Sequence, residues 1–145
     1  MTDRLFATFT LDGAYFGVDA LQVQEVLRYQ PMTRVPLAPP DIRGLINLRG
    51  QIVTALDLRR RLGLADRPAG HDPMNVVVRT DDGPVSLLVD EIGEVLEVDV
   101  DRLEAAPETV RRIERRLILG IHKLEGQLLV ILDVAQLAAA RPVAA

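Results

Sequence analysis

The sequence predicts a mainly β protein, built as two related five-stranded barrels in pseudo-repeat with short helices, and three observations carry that reading. Short apolar runs of two-residue periodicity recur along the chain, turn-forming residues separate them, and the stretch 44–57 returns at 120–133. Alternation is the mark of a strand with one buried face. An isolated hairpin is barely stable in water, whereas five short strands closing on themselves leave few free edges. A duplicated set of such strands therefore points to two small barrels side by side.

In chain order, Leu5, Ala7, Phe9 and Leu11 share one side of the first run, and Asp12-Gly13 leads on to Tyr15, Phe16 and Val18, a hairpin signature. Residues 20–29 fit either a strand or a short helix, and periodicity does not separate the two. Pro31, Pro36, Pro39 and Pro40 then mark an irregular crossing. From Gly44 to Leu56 two apolar runs flank the turn Arg49-Gly50, followed by Asp57 and the helix-like Leu58–Leu62. Residues 63–73, with two glycines, two prolines and His71, read as an exposed linker. Asn75–Thr80 and Val85–Val89 surround Asp82-Gly83 as a second hairpin, and Glu94–Val100 alternates again. Val110, Ile113 and Leu117 have helical spacing, which predicts a short helix over 108–116. Leu117–Leu124 and Gln127–Leu132 flank Glu125-Gly126, and an Ala-rich helix begins at Asp133 and ends near Ala140.

The repeat is explicit at an offset of 76. Gly44, Leu48, Gly50, Gln51, Leu56 and Asp57 match Gly120, Leu124, Gly126, Gln127, Leu132 and Asp133, six identities in fourteen ungapped positions. Upstream, Val18-Asp19 with Glu25-Val26-Leu27 matches Val89-Asp90 with Glu94-Val95-Leu96. The expected organisation is a single domain over 1–145 with halves near 5–62 and 75–137, the linker 63–73 between them, and the C-terminal helix packing back on the first half. The seam between barrels would add core and form a groove for a ligand or partner segment.

Composition narrows the function. There are 17 Lys and Arg against 21 Asp and Glu, and no cysteine, so disulfides and thiolate chemistry are excluded and nucleic acid is a poor fit. The arginine clusters Arg59-Arg60-Arg61 and Arg111-Arg112 with Arg115-Arg116 could form a phosphate-binding surface, but they sit among acidic residues and read as solvated helix faces. No stretch approaches the ~20 apolar residues of a membrane span, so a cytoplasmic protein without direct membrane insertion is expected.

Asp57 and Asp133 could be a symmetric carboxylate pair of a hydrolase. Leu58-Arg59 and Val134-Ala135 follow them, however, where that chemistry needs Thr or Ser and then Gly. The alternative is that each caps a helix. His71 and His122 stand apart, with no second histidine at metal-ligand spacing and no positioned nucleophile. No catalytic residue, metal site or cofactor is expected. Glu25, inside the apolar stretch Val23–Leu27, and Arg49, at the turn, are the polar residues least explained by folding. They read either as binding contacts, or as ordinary solvated side chains or a weak surface ion pair worth under about 1 kcal/mol.

Ile42-Arg43-Gly44-Leu45-Ile46-Asn47-Leu48-Arg49-Gly50-Gln51-Ile52-Val53, then Leu56-Asp57-Leu58-Arg59, with Val23-Gln24-Glu25-Val26 upstream, resembles the CheW family of bacterial chemotaxis adaptors. The likeness runs from about Leu5 to Leu137. It implies two SH3-like five-stranded barrels and a non-enzymatic adaptor in receptor arrays at the membrane. The implied partners are the cytoplasmic tip of a methyl-accepting chemoreceptor and the regulatory domain of a CheA-type histidine kinase, with self-association in arrays a further option. The family's motif glutamate and arginine fall on Glu25 and Arg49, and Val23, Leu45 and Leu48 are the apolar neighbours carried over as partner contacts. Thr54 stands where many members have proline, and the C-terminal helix is short. The competing expectations are an adaptor of a chemosensory-like pathway for surface motility or another output, the aspartate hydrolase, and a small-molecule sensor using the groove.

Overall fold

Turn chemistry sets where the chain reverses, and the strands follow from it. The structure, a computed structural model, describes residues 2–110 and 113–139. Among these are the strands β1 (Asp3–Leu11), β2 (Ala14–Asp19), β3 (Val23–Leu27), β4 (Ile42–Leu48), β5 (Gln51–Asp57), β6 (Met74–Thr80), β7 (Gly83–Val89), β8 (Glu91–Asp99), β9 (Ile118–Leu124) and β10 (Gln127–Leu132), and the short helices α1 (Leu58–Arg61) and α2 (Val134–Ala138). They form two five-stranded sheets, ordered β8-β1-β2-β10-β9 and β3-β6-β7-β5-β4.

The sheets do not coincide with the sequence halves 5–62 and 75–137. Each sheet takes the first two strands of one repeat and the last three of the other. The parallel pairs are the joints: β2 lies beside β10 with Phe16 opposite Val130, and β5 beside β7 with Leu56 opposite Leu87. A parallel pair needs a long crossover, which a repeat cannot supply from within one hairpin but can supply by exchange with its twin.

Exchange also decides where the core lies. The largest apolar cluster is the seam between sheets, where Phe9, Phe16 and Val18 meet Leu56, Val78, Leu87, Leu117 and Leu132. Two smaller clusters fill the barrels, one around Ile46, Leu48, Val53, Val77 and Leu88, the other around Phe6, Val98, Leu129 and Ile131.

Each sheet closes through the chain that leaves its edge strand. Beyond β3, Thr33 and Leu45 exchange backbone hydrogen bonds of 2.8 Å each, and beyond β8, Glu104 and Ile121 do the same at 2.9 and 2.8 Å. Leu45 and Ile121 are repeat equivalents, and each follows a glycine. A Cβ on Gly44 would lie 2.7 Å from the Thr33 carbonyl oxygen, and one on Gly120 2.7 Å from the Leu103 Cβ. Gly44→Ala is thus expected to cost roughly 2 kcal/mol through overpacking against a backbone that closes the barrel. Denaturant unfolding checks it, and an unchanged midpoint would remove glycine from the closure.

Residues 20–29 resolve into a 3-10 turn, Ala20–Gln22, whose start is capped by Asp19 accepting from the Leu21 N–H, followed by β3. The helix expected over 108–116 is not continuous: 3-10 turns stand at Glu108–Val110 and Arg115–Leu117, and Arg111 and Arg112 lie outside the described residues. Ile113 and Leu117 are still buried, so the spacing reported a shared apolar face rather than a helix.

The solvated face expected for Arg59 and Arg61 is also corrected: both are buried, at 7% and 3% exposure. Arg59 Nε donates to Asp90 Oδ1 at 2.9 Å, and its Nη1 to the carbonyls of Ala65 and Asp66. Arg61 donates to the carbonyls of Gln136 and Leu137, each at 3.1 Å, and of Ala139, so it holds the C-terminal end of α2. Guanidinium groups are buried here because fixed acceptors meet their planar fork.

Candidate partner-binding site

Strand β3 begins with a register irregularity between Val23 and Glu25, after which Glu25 lies opposite Val77 of β6. Val77 faces the barrel core, so Glu25 is turned toward the same side. Its Oε2 accepts from Arg49 Nη2, while Oε1 is buried without a hydrogen-bond partner. Arg49 comes from the β4–β5 turn. The pair thus links an edge strand to the far side of its own sheet across the end of the barrel.

Two local costs meet at this point. A buried carboxylate oxygen without a partner keeps part of its desolvation penalty. Arg49 has φ 51° and Gly50 φ 85°, the geometry of a two-residue turn whose first position usually holds Asn, Asp or Gly. Asn47 Oδ1 steadies the turn by accepting from the Gly50 N–H at 2.9 Å. An ion pair whose arginine side chain is 72% exposed contributes under about 1 kcal/mol and does not offset both. Costs that folding does not explain collect at functional sites.

The repeat-related turn differs. Glu125 takes the place of Arg49, and positive φ there belongs to Gly126 alone. The two glycine turns share an origin, yet only the first carries a strained side chain engaged with the edge strand.

The apolar neighbours divide by strand parity. Ile46 and Leu48 point into the barrel, and Leu48 is buried with Val53, Val77 and Leu88. Its side chain therefore lies inside the barrel, where the motif had suggested a surface contact. Val23 is half-buried and packs against the seam cluster. Leu45, on the outward parity of β4, is half-buried opposite Thr54. Two exposed residues were missed: Val26, next to Glu25, and Ile52, opposite Asn47 beside the turn. Their repeat equivalents Val95 and Leu128 are exposed as well. Alternation in β5, with Val53 inward, was the signal for Ile52.

Asp57 and Asp133 act as helix caps, accepting from the N–H of Arg60 at 3.4 Å and of Gln136 at 3.3 Å from extended backbone. His71 lies in the linker and His122 in β9. Among the described residues no group of His, Asp and Glu is placed to hold a metal, and no helix is long and apolar enough to cross a membrane. At the β2–β3 crossing between sheets, a cleft of about 380 Å³ opens between Leu21, the β6–β7 turn and the small face of α2 at Ala135 and Ala138.

Comparison with known proteins agrees with this architecture. The family model of the CheW-like domain matches residues 5–141. The chain is 33% identical to the chemotaxis protein CheW of Bacillus subtilis over 132 residues, covering 91% of this chain and 85% of that one. It is 32% identical to CheW of Klebsiella aerogenes over 134 residues, with 91% and 80% covered. The crystal structure of the scaffolding protein TtCheW from Thermoanaerobacter tengcongensis superposes with a TM-score of 0.85 at 28% identity, covering 97% of this chain and 90% of that one. The chain belongs to the CheW-like domain family of chemotaxis scaffold proteins.

Proposed function

We propose that this chain is a cytoplasmic adaptor that joins the tip of a chemoreceptor to the regulatory domain of a CheA-type histidine kinase within arrays at the membrane. Catalysis in this reading belongs to the kinase. The observation that carries it is the Glu25–Arg49 pair, placed at the end of a barrel on a strained turn and beside exposed apolar residues. A helical receptor hairpin would lay an apolar stripe into the cleft between the sheets, while strand-end surfaces with Glu25, Arg49, Leu45 and Val26 meet the kinase domain. Contacts of this kind, an apolar centre with a polar rim, suit reversible assembly, and signalling follows when binding shifts the kinase between conformations.

Pull-down of a receptor cytoplasmic fragment and of the kinase regulatory domain tests the site. Glu25→Lys places two cations together and is expected to weaken capture of at least one partner by tenfold or more, with Arg49→Ala weakening the same partner less. Capture unchanged for both folded variants would reject the assignment.

A further inference from the structure

The strand pairings sort into two kinds. Those within one half of the chain are all hairpins: β1 with β2, β4 with β5, β6 with β7 and β9 with β10. Every other pairing, β1 with β8, β2 with β10, β3 with β6 and β5 with β7, joins the stretch 2–62 to the stretch 74–139. The strands β3 and β8 have no strand partner in their own half. The seam cluster also draws on both halves, with Phe9, Phe16 and Leu56 against Val78, Leu87 and Leu132. A lone hairpin is barely stable and an opened sheet edge seeks a new strand, so neither half keeps its structure without a complement.

The covalent connection between the halves is the linker 63–73, with Pro68, Pro73 and two glycines at positive φ, Gly63 at 76° and Gly70 at 87°. Its first part folds on α1: Asp66 Oδ1 accepts from Arg60 Nε at 3.0 Å, and Arg59 Nη1 donates to the Ala65 and Asp66 carbonyls. Among the described residues, the linker's hydrogen bonds to the second half come from Arg67, whose Nε and Nη2 donate to Asp90 Oδ1 at 3.1 and 2.9 Å. That side chain is 9% exposed. One arginine thus folds the linker back so that two halves of the same chain meet. Extended, the linker would reach roughly 36–40 Å, enough to carry the second half to a neighbouring molecule.

We propose that residues 63–73 are a hinge and that two copies of this chain exchange halves to form a dimer, the first half of each completing its sheets with the second half of the other. No strand pairing or seam contact changes in the exchange; the path of the linker does. Glu25 and Arg49 both lie in the first half, so each pair stays whole and the dimer presents two of them. The cleft beside α2 becomes composite, with Leu21 from one chain and Arg79, Asp82 and Ala135 from the other. Exchange of this kind does not depend on the adaptor reading.

The chain has no cysteine, so a cysteine pair placed on facing strands reports which molecule supplies each half. Thr54→Cys with Val85→Cys joins β5 to β7 at registered positions. The pair is placed in wild type, in Arg67→Ala and in a chain lacking residues 68–71, a turn in which the His71 N–H donates to the Pro68 carbonyl. Each protein is unfolded in denaturant, refolded at high protein concentration, sized by light scattering, then diluted and oxidised. Wild type is expected to be mostly monomer, with its disulfide inside one chain. Arg67→Ala is expected to raise the dimer fraction fivefold or more. The shortened linker cannot fold back and is expected to make the dimer predominant, running as disulfide-linked dimers on a denaturing gel without reductant. Dimer fractions equal to wild type in both variants overturn the proposal, and so do dimers whose disulfides all lie within single chains. Should the shortened chain fail to refold, Arg67→Ala decides by the same two readouts.

Discussion

Phe16→Ala is expected to remove about 3–5 kcal/mol of unfolding free energy. Phe16 is 1% exposed on β2, and its ring stacks on that of Phe9 with centroids 6.3 Å apart and planes 17° from parallel. Both rings face the seam, where they meet strands of the other sheet, so truncation opens a cavity that neither sheet can collapse alone. The strand exchange adds a second expectation. With each sheet drawing on both repeats and the main cluster lying between them, wild type and variant unfold in one cooperative transition. Two transitions, one insensitive to the substitution, would contradict the exchanged arrangement.

Asp90→Ala is expected to cost roughly 3 kcal/mol, because it leaves two arginines without their shared acceptor in a poorly solvated place. Asp90 follows β7 and accepts from Arg59 Nε, from Arg67 Nε at 3.1 Å and Nη2 at 2.9 Å, and from the Asp12 N–H at 2.8 Å. The linker residue Arg67, the helix α1 and the β1–β2 turn therefore converge on one carboxylate. Partial burial pushes its pKa upward. The hydrogen bonds from Arg59, the Asp12 N–H and Arg67 outweigh that and hold it below the ordinary aspartate value. A carboxyl depressed in the folded state stabilises fully above its unfolded pKa of about 3.9, and the stabilisation is lost as pH falls below about 4 and through the folded value. Unfolding free energy measured from pH 7 down to pH 3 is expected to fall more steeply in wild type than in Asp90→Asn. Parallel curves would dismiss the carboxylate as an acid-sensitive tie.

Much of the fold was legible because local chemistry imposed it. Asp12-Gly13, Arg49-Gly50 and Glu125-Gly126 fix reversals, and Asp57 and Asp133 mark helix starts by their free oxygens. The exchange between sheets was not legible. A symmetric repeat satisfies the same alternation whether β3 joins its own hairpin or its twin's, and no residue type reports which edge is nearer. Arg59 and Arg61 were misread for a related reason. Their acceptors lie at Asp90 and at the carbonyls of α2, 31 and some 75 residues away in sequence, and only tertiary structure brings them together.

At the candidate site Glu25 and Arg49 stood out as polar residues without a folding role, and the structure shows them joined. Strand parity turns Leu48 inward and Leu45 outward.

The proposed coupling of two partners is tested most directly by recovery of the kinase regulatory domain on an immobilised receptor cytoplasmic fragment, with and without the chain. Recovery is expected to rise with added chain to saturation, and Glu25→Lys is expected to reduce it by tenfold or more. Kinase-domain recovery that is the same with and without the chain would contradict the coupling.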